Sequence, residues 1–178
     1  MKLKIYQTIR YYPEQTEEAI KVGGPIHCND ELAWLGKGHC FWDTSLENAH
    51  WWGQVHYQNQ YVVCQAEMDF NWDTCFDLLG CVAHRAWFME QIQLVKAQLG
   101  PQTPVPIAQV LEMLFAIPEF NFGAIRANGL PVADRPPIES VFPQGRYGID
   151  LYNRTQICIR NLQKVNFRNF HVLAKVYP

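Results

Sequence analysis

Trp34-Leu35-Gly36-Lys37-Gly38-His39-Cys40-Phe41-Trp42-Asp43-Thr44, followed by Ser45-Leu46-Glu47-Asn48-Ala49-His50-Trp51-Trp52, is the most informative part of the chain. Two glycines flank a single residue, an aromatic run follows, and a polar turn then opens a helix with Ala49 and Trp52 on one side. Glycines at alternate positions let a backbone pass close to another group without Cβ interference. The aromatics behind them supply flat faces for a planar ring. Either a ligand-binding strand or a Gly-rich entry into an aromatic core satisfies this pattern.

Working outward, Lys2-Leu3-Lys4-Ile5-Tyr6-Gln7-Thr8-Ile9 alternates and is rich in strand formers, which predicts a first strand over residues 3–9. Thr16-Glu17-Glu18-Ala19 reads as a capped helix start, and Val22-Gly23-Gly24-Pro25 as its stop. Downstream, Thr155-Gln156-Ile157-Cys158-Ile159 alternates as a half-buried strand does. The β-branched content of Gln60-Tyr61-Val62-Val63-Cys64-Gln65-Ala66-Glu67-Met68 predicts a central strand over residues 61–68, and 38–42 completes the set. A long helix is predicted over residues 83–98 and a shorter one over 107–115. Residues 71–79 are read as the approach to the long helix, and residues 121–129, punctuated by Gly and Asn, as a loop running to a strand at Ser140-Val141-Phe142.

These pieces, in this order, resemble the ADP-ribosyltransferase superfamily. Its second motif is a Gly-x-Gly-x-aromatic-Phe strand followed by a helix, and a group of small bacterial proteins with that fold carries a similar Trp-Leu-Gly-x-Gly segment. Those proteins also carry a Gln-Ile-Cys-Val-Arg-Asn strand, to which Gln156-Ile157-Cys158-Ile159-Arg160-Asn161 is similar, and a segment like Val141-Phe142-Pro143-Gln144-Gly145. The resemblance covers the N-terminal strand, residues 22–53 and residues 121–162. It implies an α+β fold with a two-sheet core, a central cleft and peripheral helices, as one domain over residues 1–178. It further implies NAD as substrate and transfer of ADP-ribose to a protein or nucleic-acid acceptor, as bacterial or phage effectors and toxins do, with a cognate antitoxin or inhibitor as a partner.

Residue by residue, the resemblance assigns cofactor binding to Gln7, Thr8, Gly36, Gly38, Cys40, Phe41, Trp42 and Trp52, and the catalytic position to Gln156. The family's first strand usually reads Tyr-His-Gly-Thr; here Gln7 stands in the His place and the glycine is absent. Gln156 stands where a catalytic Glu is usual, and Cys40 where a Tyr stacks on nicotinamide. Cleavage of the nicotinamide–ribose bond passes through an oxocarbenium-like state that a carboxylate stabilises. Gln156 keeps a hydrogen bond to ribose and loses that charge, a change on the order of 10²–10³-fold in rate. The alternative function is a catalytically silent relative that binds a nucleotide or a protein. A third is a domain whose aromatic cleft holds another ligand. Arg126 and Arg135 are candidate substrate or phosphate contacts, and Glu139 or Asp150 candidate replacement charges.

Composition sets further bounds. A chain of 178 residues with 48% hydrophobic and 13% aromatic content buries one substantial core rather than remaining disordered. A net charge of −2 gives no global drive toward nucleic acid or anionic membrane. Toward the C-terminus Arg146, Arg154, Arg160, Lys164, Arg168 and Lys175 outnumber Asp150, an edge suited to a phosphate-bearing ligand or simply solvated. No apolar run approaches a membrane span of about 20 residues, and no signal-peptide core opens the chain, so a cytoplasmic, reduced protein with no membrane partner is expected. The six cysteines are accordingly read as free thiols. Zinc is the strongest competing chemistry, through His27-Cys28, His39-Cys40, or Cys75, Cys81 and His84. Adjacent strand residues point to opposite faces, however, and the spacings miss the paired-ligand pattern. A Cys40 nucleophile activated by His27 or His50 is a further alternative.

Overall fold

The computed structural model describes residues 1–30, 33–100, 104–129 and 154–177. In chain order the elements are β1 (Lys2–Arg10), α1 (Glu17–Gly23), β2 (His39–Asp43), α2 (Leu46–Tyr57), β3 (Tyr61–Asp69), β4 (Cys75–Asp77), α3 (Val82–Leu99), α4 (Ile107–Phe115), β5 (Ala124–Asn128), β6 (Thr155–Ile159) and β7 (Arg168–Val176). The fold is mixed α+β. Instead of the two sheets expected, the described strands form one seven-stranded sheet in the order β4-β5-β6-β2-β1-β3-β7. All neighbours are antiparallel except β4 and β5.

Local signals explain most of the elements. Thr16 caps α1 by accepting from the Ala19 amide at 3.1 Å, and Gly24, at φ 71°, ends it. Ser45 caps α2 through the Asn48 amide at 3.2 Å. Two expectations need correction. Residues 124–128, read as loop, form β5, because β6 on one side and β4 on the other pair both of its edges. Cys75–Asp77, read as the approach to a helix, forms β4 alongside β5. The expected strand at 140–142 lies outside the described residues.

The sheet has two differently used faces. Leu3, Ile5, Phe41, Met68, Ile157 and Ile159 pack together on one. On the other, Phe76, Ile125, Ala127 and Cys158 receive Phe88 of α3 and Val110, Leu111 and Leu114 of α4, while α2 covers Tyr6 and Val63. The closeness of α2 depends on Gly53, since a Cβ there would collide with the ring of buried Tyr61. Among the described residues no helix is long and apolar enough to cross a membrane.

The first face also buries a charge cluster. Asp43 and Asp77 are 2% and 1% exposed, and Arg126 on β5 lies between them. Its Nε and Nη2 each stand 2.7 Å from Asp43 Oδ2, and Nη1 stands 3.5 Å from both Asp77 oxygens. Asp77 also accepts from the Trp72 indole and the Leu79 amide. Arg126 is therefore a structural counter-ion on the face opposite Gln156, rather than a contact within a cleft there. Removing one partner of such a cluster strands buried charge. Arg126→Met is expected to lower unfolding free energy by about 3–5 kcal/mol, read by urea denaturation.

Candidate functional site

β1 and β2 are paired only at Ile5–Asp43 and Tyr6–Trp42, whereas β1 pairs with β3 along its whole length. Beyond Tyr6 the two strands part, and Gln7 spans the opening. Its Nε2 donates to Ile26 O at 2.9 Å and Cys40 O at 3.2 Å, and its Oε1 accepts from the Ile26 amide at 2.8 Å. Thr8, next along β1, donates from Oγ1 to Ala49 O at 2.7 Å and so anchors α2.

The opening is the root of a cleft of about 940 Å³, bounded by β1, β2, α2, the segment around Cys28–Leu35 and the start of β6. Its walls are mainly aromatic. Trp42 meets Trp51 edge-on at 6.1 Å and Trp52 at 5.9 Å, and His56 lies over Trp52 at 3.7 Å. The Arg154 guanidinium lies 3.7 Å from the Trp51 ring centre, and Arg10 stands 5.5 Å over Tyr57. Among the described lining residues, Arg10 and Arg154 are the two arginines, and Asp30 is the single carboxylate.

Gln156 pairs with Trp42 across β2 and β6, which places it in the cleft wall. The Trp34 indole N–H donates to Gln156 Oε1 at 2.9 Å. Because an indole N–H only donates, this bond fixes the carboxamide's orientation and leaves its nitrogen as the group facing away from Trp34.

The sequence-assigned residues thus divide. Gln7, Thr8, Cys40, Phe41, Trp42, Trp52 and Gln156 all line the cleft. The Gln7 amide is spent on backbone groups, so it holds the cleft open rather than offering free donors. Gly36 and Gly38 are not among the lining residues, and protein atoms fill the space beside them. At Gly36, φ 75°, a Cβ would collide with Glu112 and Arg160; at Gly38 it would stand 2.6 Å from Cys158 Sγ. The turn is gripped from outside: Arg160 Nη2 bonds Glu112 Oε1 at 2.6 Å and Leu35 O at 3.3 Å, and Glu112 Oε1 accepts from the Lys37 amide at 2.8 Å. Arg135, Glu139 and Asp150 lie outside the described residues.

Wall residues given no role from sequence include Trp34, Trp51, Tyr57 and Arg10, whereas Arg154 belongs to the basic C-terminal edge read there as suited to a phosphate-bearing ligand or simply solvated. The adjacent Trp51-Trp52 pair was the signal available in sequence: both rings, with Tyr57, are half-buried against Trp42 and Tyr61 and leave their outer faces to the cleft. The histidines of the competing readings are placed otherwise. His27 and His39 meet edge-on at 4.9 Å, and burial, reinforced by His27, lowers the His39 pKa. His50 bonds the Tyr61 hydroxyl at 3.0 Å. His84 accepts the Asp77 amide at Nδ1, and burial lowers its pKa against the pull of the Asp77 carboxylate. Among the described residues no three His, Cys, Asp or Glu side chains converge to hold a metal.

No family model, curated protein or solved structure matches the chain. The site therefore has to be read from its own geometry.

Two outcomes follow from that geometry. Gln7→Leu leaves the Ile26 and Cys40 backbone groups unpaired in a largely buried place, so chemical denaturation should show a loss of about 1–3 kcal/mol. Burial pushes the Glu112 carboxyl up, but the bonds from Arg160 and the Lys37 amide outweigh it and hold the pKa below its ordinary 4.5. A depressed folded pKa stabilises above the ordinary value, and this is lost as pH falls through the folded one. The melting temperature gap between the wild type and Glu112→Gln should therefore be present above pH 4.5 and close below it.

Proposed function

We propose that the cleft binds NAD and that the chain transfers ADP-ribose from it to a macromolecular acceptor. The observation that carries this reading is Gln156, oriented by Trp34 so that its amide nitrogen is presented in a cleft walled by tryptophans and bordered by two arginines. Flat aromatic faces suit adenine and the cationic pyridinium, and arginines suit a pyrophosphate. In this reading the Gln156 amide donates to a hydroxyl of the nicotinamide ribose and stops it rotating. The bond from ribose C1′ to nicotinamide breaks, nicotinamide leaves with the electron pair, and the acceptor's nucleophile bonds C1′ and gives up its proton. Gln156 supplies no negative charge to the oxocarbenium-like state, so the reading calls for a strong nucleophile as acceptor.

The single described carboxylate in the lining favours a second reading, a silent cleft that binds a nucleotide or a protein partner without turnover. A Glu at 156 retains the Trp34 bond through one oxygen and presents the other, charged, where the amide nitrogen stood. For the transferase, Gln156→Glu should therefore raise nicotinamide release by about 10²–10³-fold, while Gln156→Ala loses most label transfer and remains folded. Tryptophan quenching and a thermal shift with NAD measure binding separately. Neither signal at millimolar NAD would remove NAD from both readings. Binding without nicotinamide release in any lysate leaves the silent binder.

A further inference from the structure

Behind the cleft wall three thiols meet. The register of β2 and β6 sets Cys40 directly opposite Cys158 on one face of the sheet. Opposed antiparallel residues have Cα atoms about 4.5–5.5 Å apart, inside the range of about 4.4–6.8 Å that a disulfide needs. The Cys158 thiol points toward the Gly-x-Gly turn, donating to Lys37 O at 3.6 Å and standing 3.9 Å from Gly36 O, and the Cys40 thiol interacts electrostatically with those of both Cys158 and Cys28. Cys28 is held in place by reciprocal backbone bonds with Gly38, at 2.7 and 3.1 Å. Gly38 lacks the Cβ that would press on the Cys158 sulfur, so the Gly-x-Gly turn clears the room this sulfur occupies. Cys28 and Cys40 line the cleft, and Cys158 is fully buried behind them. Cys64 and Cys75 sit in other parts of the core, their thiols pushed up by burial, that of Cys64 to about 12.

We propose that this cluster is a peroxide-sensitive modification site: Cys28 takes up oxidation at the cleft and a Cys40–Cys158 disulfide across β2 and β6 is the stable product. A hydroperoxide transfers its outer oxygen to the Cys28 sulfur, giving a sulfenic acid and releasing water or an alcohol. The Cys40 sulfur displaces that hydroxyl, which leaves as water with the thiol proton, and Cys28–Cys40 forms. Cys158 then attacks the Cys40 sulfur and Cys28 departs as thiolate. The net exchange moves two electrons and two protons from the dithiol to the peroxide. Cys158 suits the attacking role by position: the register sets it directly across from Cys40, so its sulfur can reach the Cys40 sulfur without a shift of either strand. The oxidation itself requires no nucleotide, although Cys28 and Cys40 line the same cleft, so the test is run without NAD.

The test exposes the reduced full chain to hydrogen peroxide, removes the peroxide, blocks remaining thiols with N-ethylmaleimide in denaturant so that the buried cysteines also react, and maps peptides without reductant. The expected result is loss of two alkylatable thiols of the six, a linked peptide pair holding Cys40 and Cys158, and full reversal by dithiothreitol. Cys28→Ser, at a half-exposed position, should slow formation about tenfold or more without changing the product, because access governs the first step. Cys158→Ser should halt the reaction at Cys28–Cys40. A stable Cys28–Cys40 product in the wild type, a bond to another cysteine, irreversible oxygen addition, or six thiols still alkylated would overturn the proposal.

Discussion

The opening between β1 and β2 governs everything that follows in this protein, and one carboxamide holds it. Where two antiparallel strands part, each loses ladder partners, and unpaired backbone groups in a buried place are costly. Gln7 replaces part of the missing ladder with three bonds, two to Ile26 and one to Cys40. A long side chain with a donor at one end and an acceptor at the other spans the gap that a direct backbone bond cannot. The result is a sheet that stays continuous through Ile5–Asp43 and Tyr6–Trp42 and gapes beyond them.

Neighbouring residues of β2 serve opposite sides of that sheet. Asp43 shares a buried charge cluster with Arg126 and Asp77 on one face, while Trp42, next to it, pairs with Gln156 on the other. The two-residue strand period sets this alternation. It also means that β2 serves two purposes at once, with Asp43 tied into the core through Arg126 and Trp42 set beside Gln156 in the cleft wall.

The glycine motif has a different physical basis from the one its spacing suggests. Glycines that admit a ligand and glycines that admit neighbouring side chains look alike in a sequence. Here Glu112 and Arg160 press on Gly36, and the Cys158 sulfur on Gly38. These partners come from more than 70 residues away, as the separation of Lys37 and Glu112 shows (|i−j| of 75). Close approach was legible from the residue type; the identity of what approaches was not.

Much of the scaffold could be read locally. The strand at Thr155–Ile159, the helix at Ile107–Phe115 and the caps at Thr16 and Ser45 follow from alternation, apolar spacing and side-chain oxygens placed before a helix, all properties of a few consecutive residues. The short strands β4 and β5 were not legible, because what makes them strands is each other and β6. The same holds at the cleft. The motif resemblance singled out Gln7, Trp42, Trp52 and Gln156, and the chain brings them to one cavity. Only the tertiary structure decided that Gln7 is consumed by backbone groups, that Trp34 orients Gln156, that Arg126 neutralises buried carboxylates, and that Cys28, Cys40 and Cys158 touch. Each of those outcomes depends on strand register between distant segments, and register is set by the whole buried face rather than by any residue's neighbours in sequence.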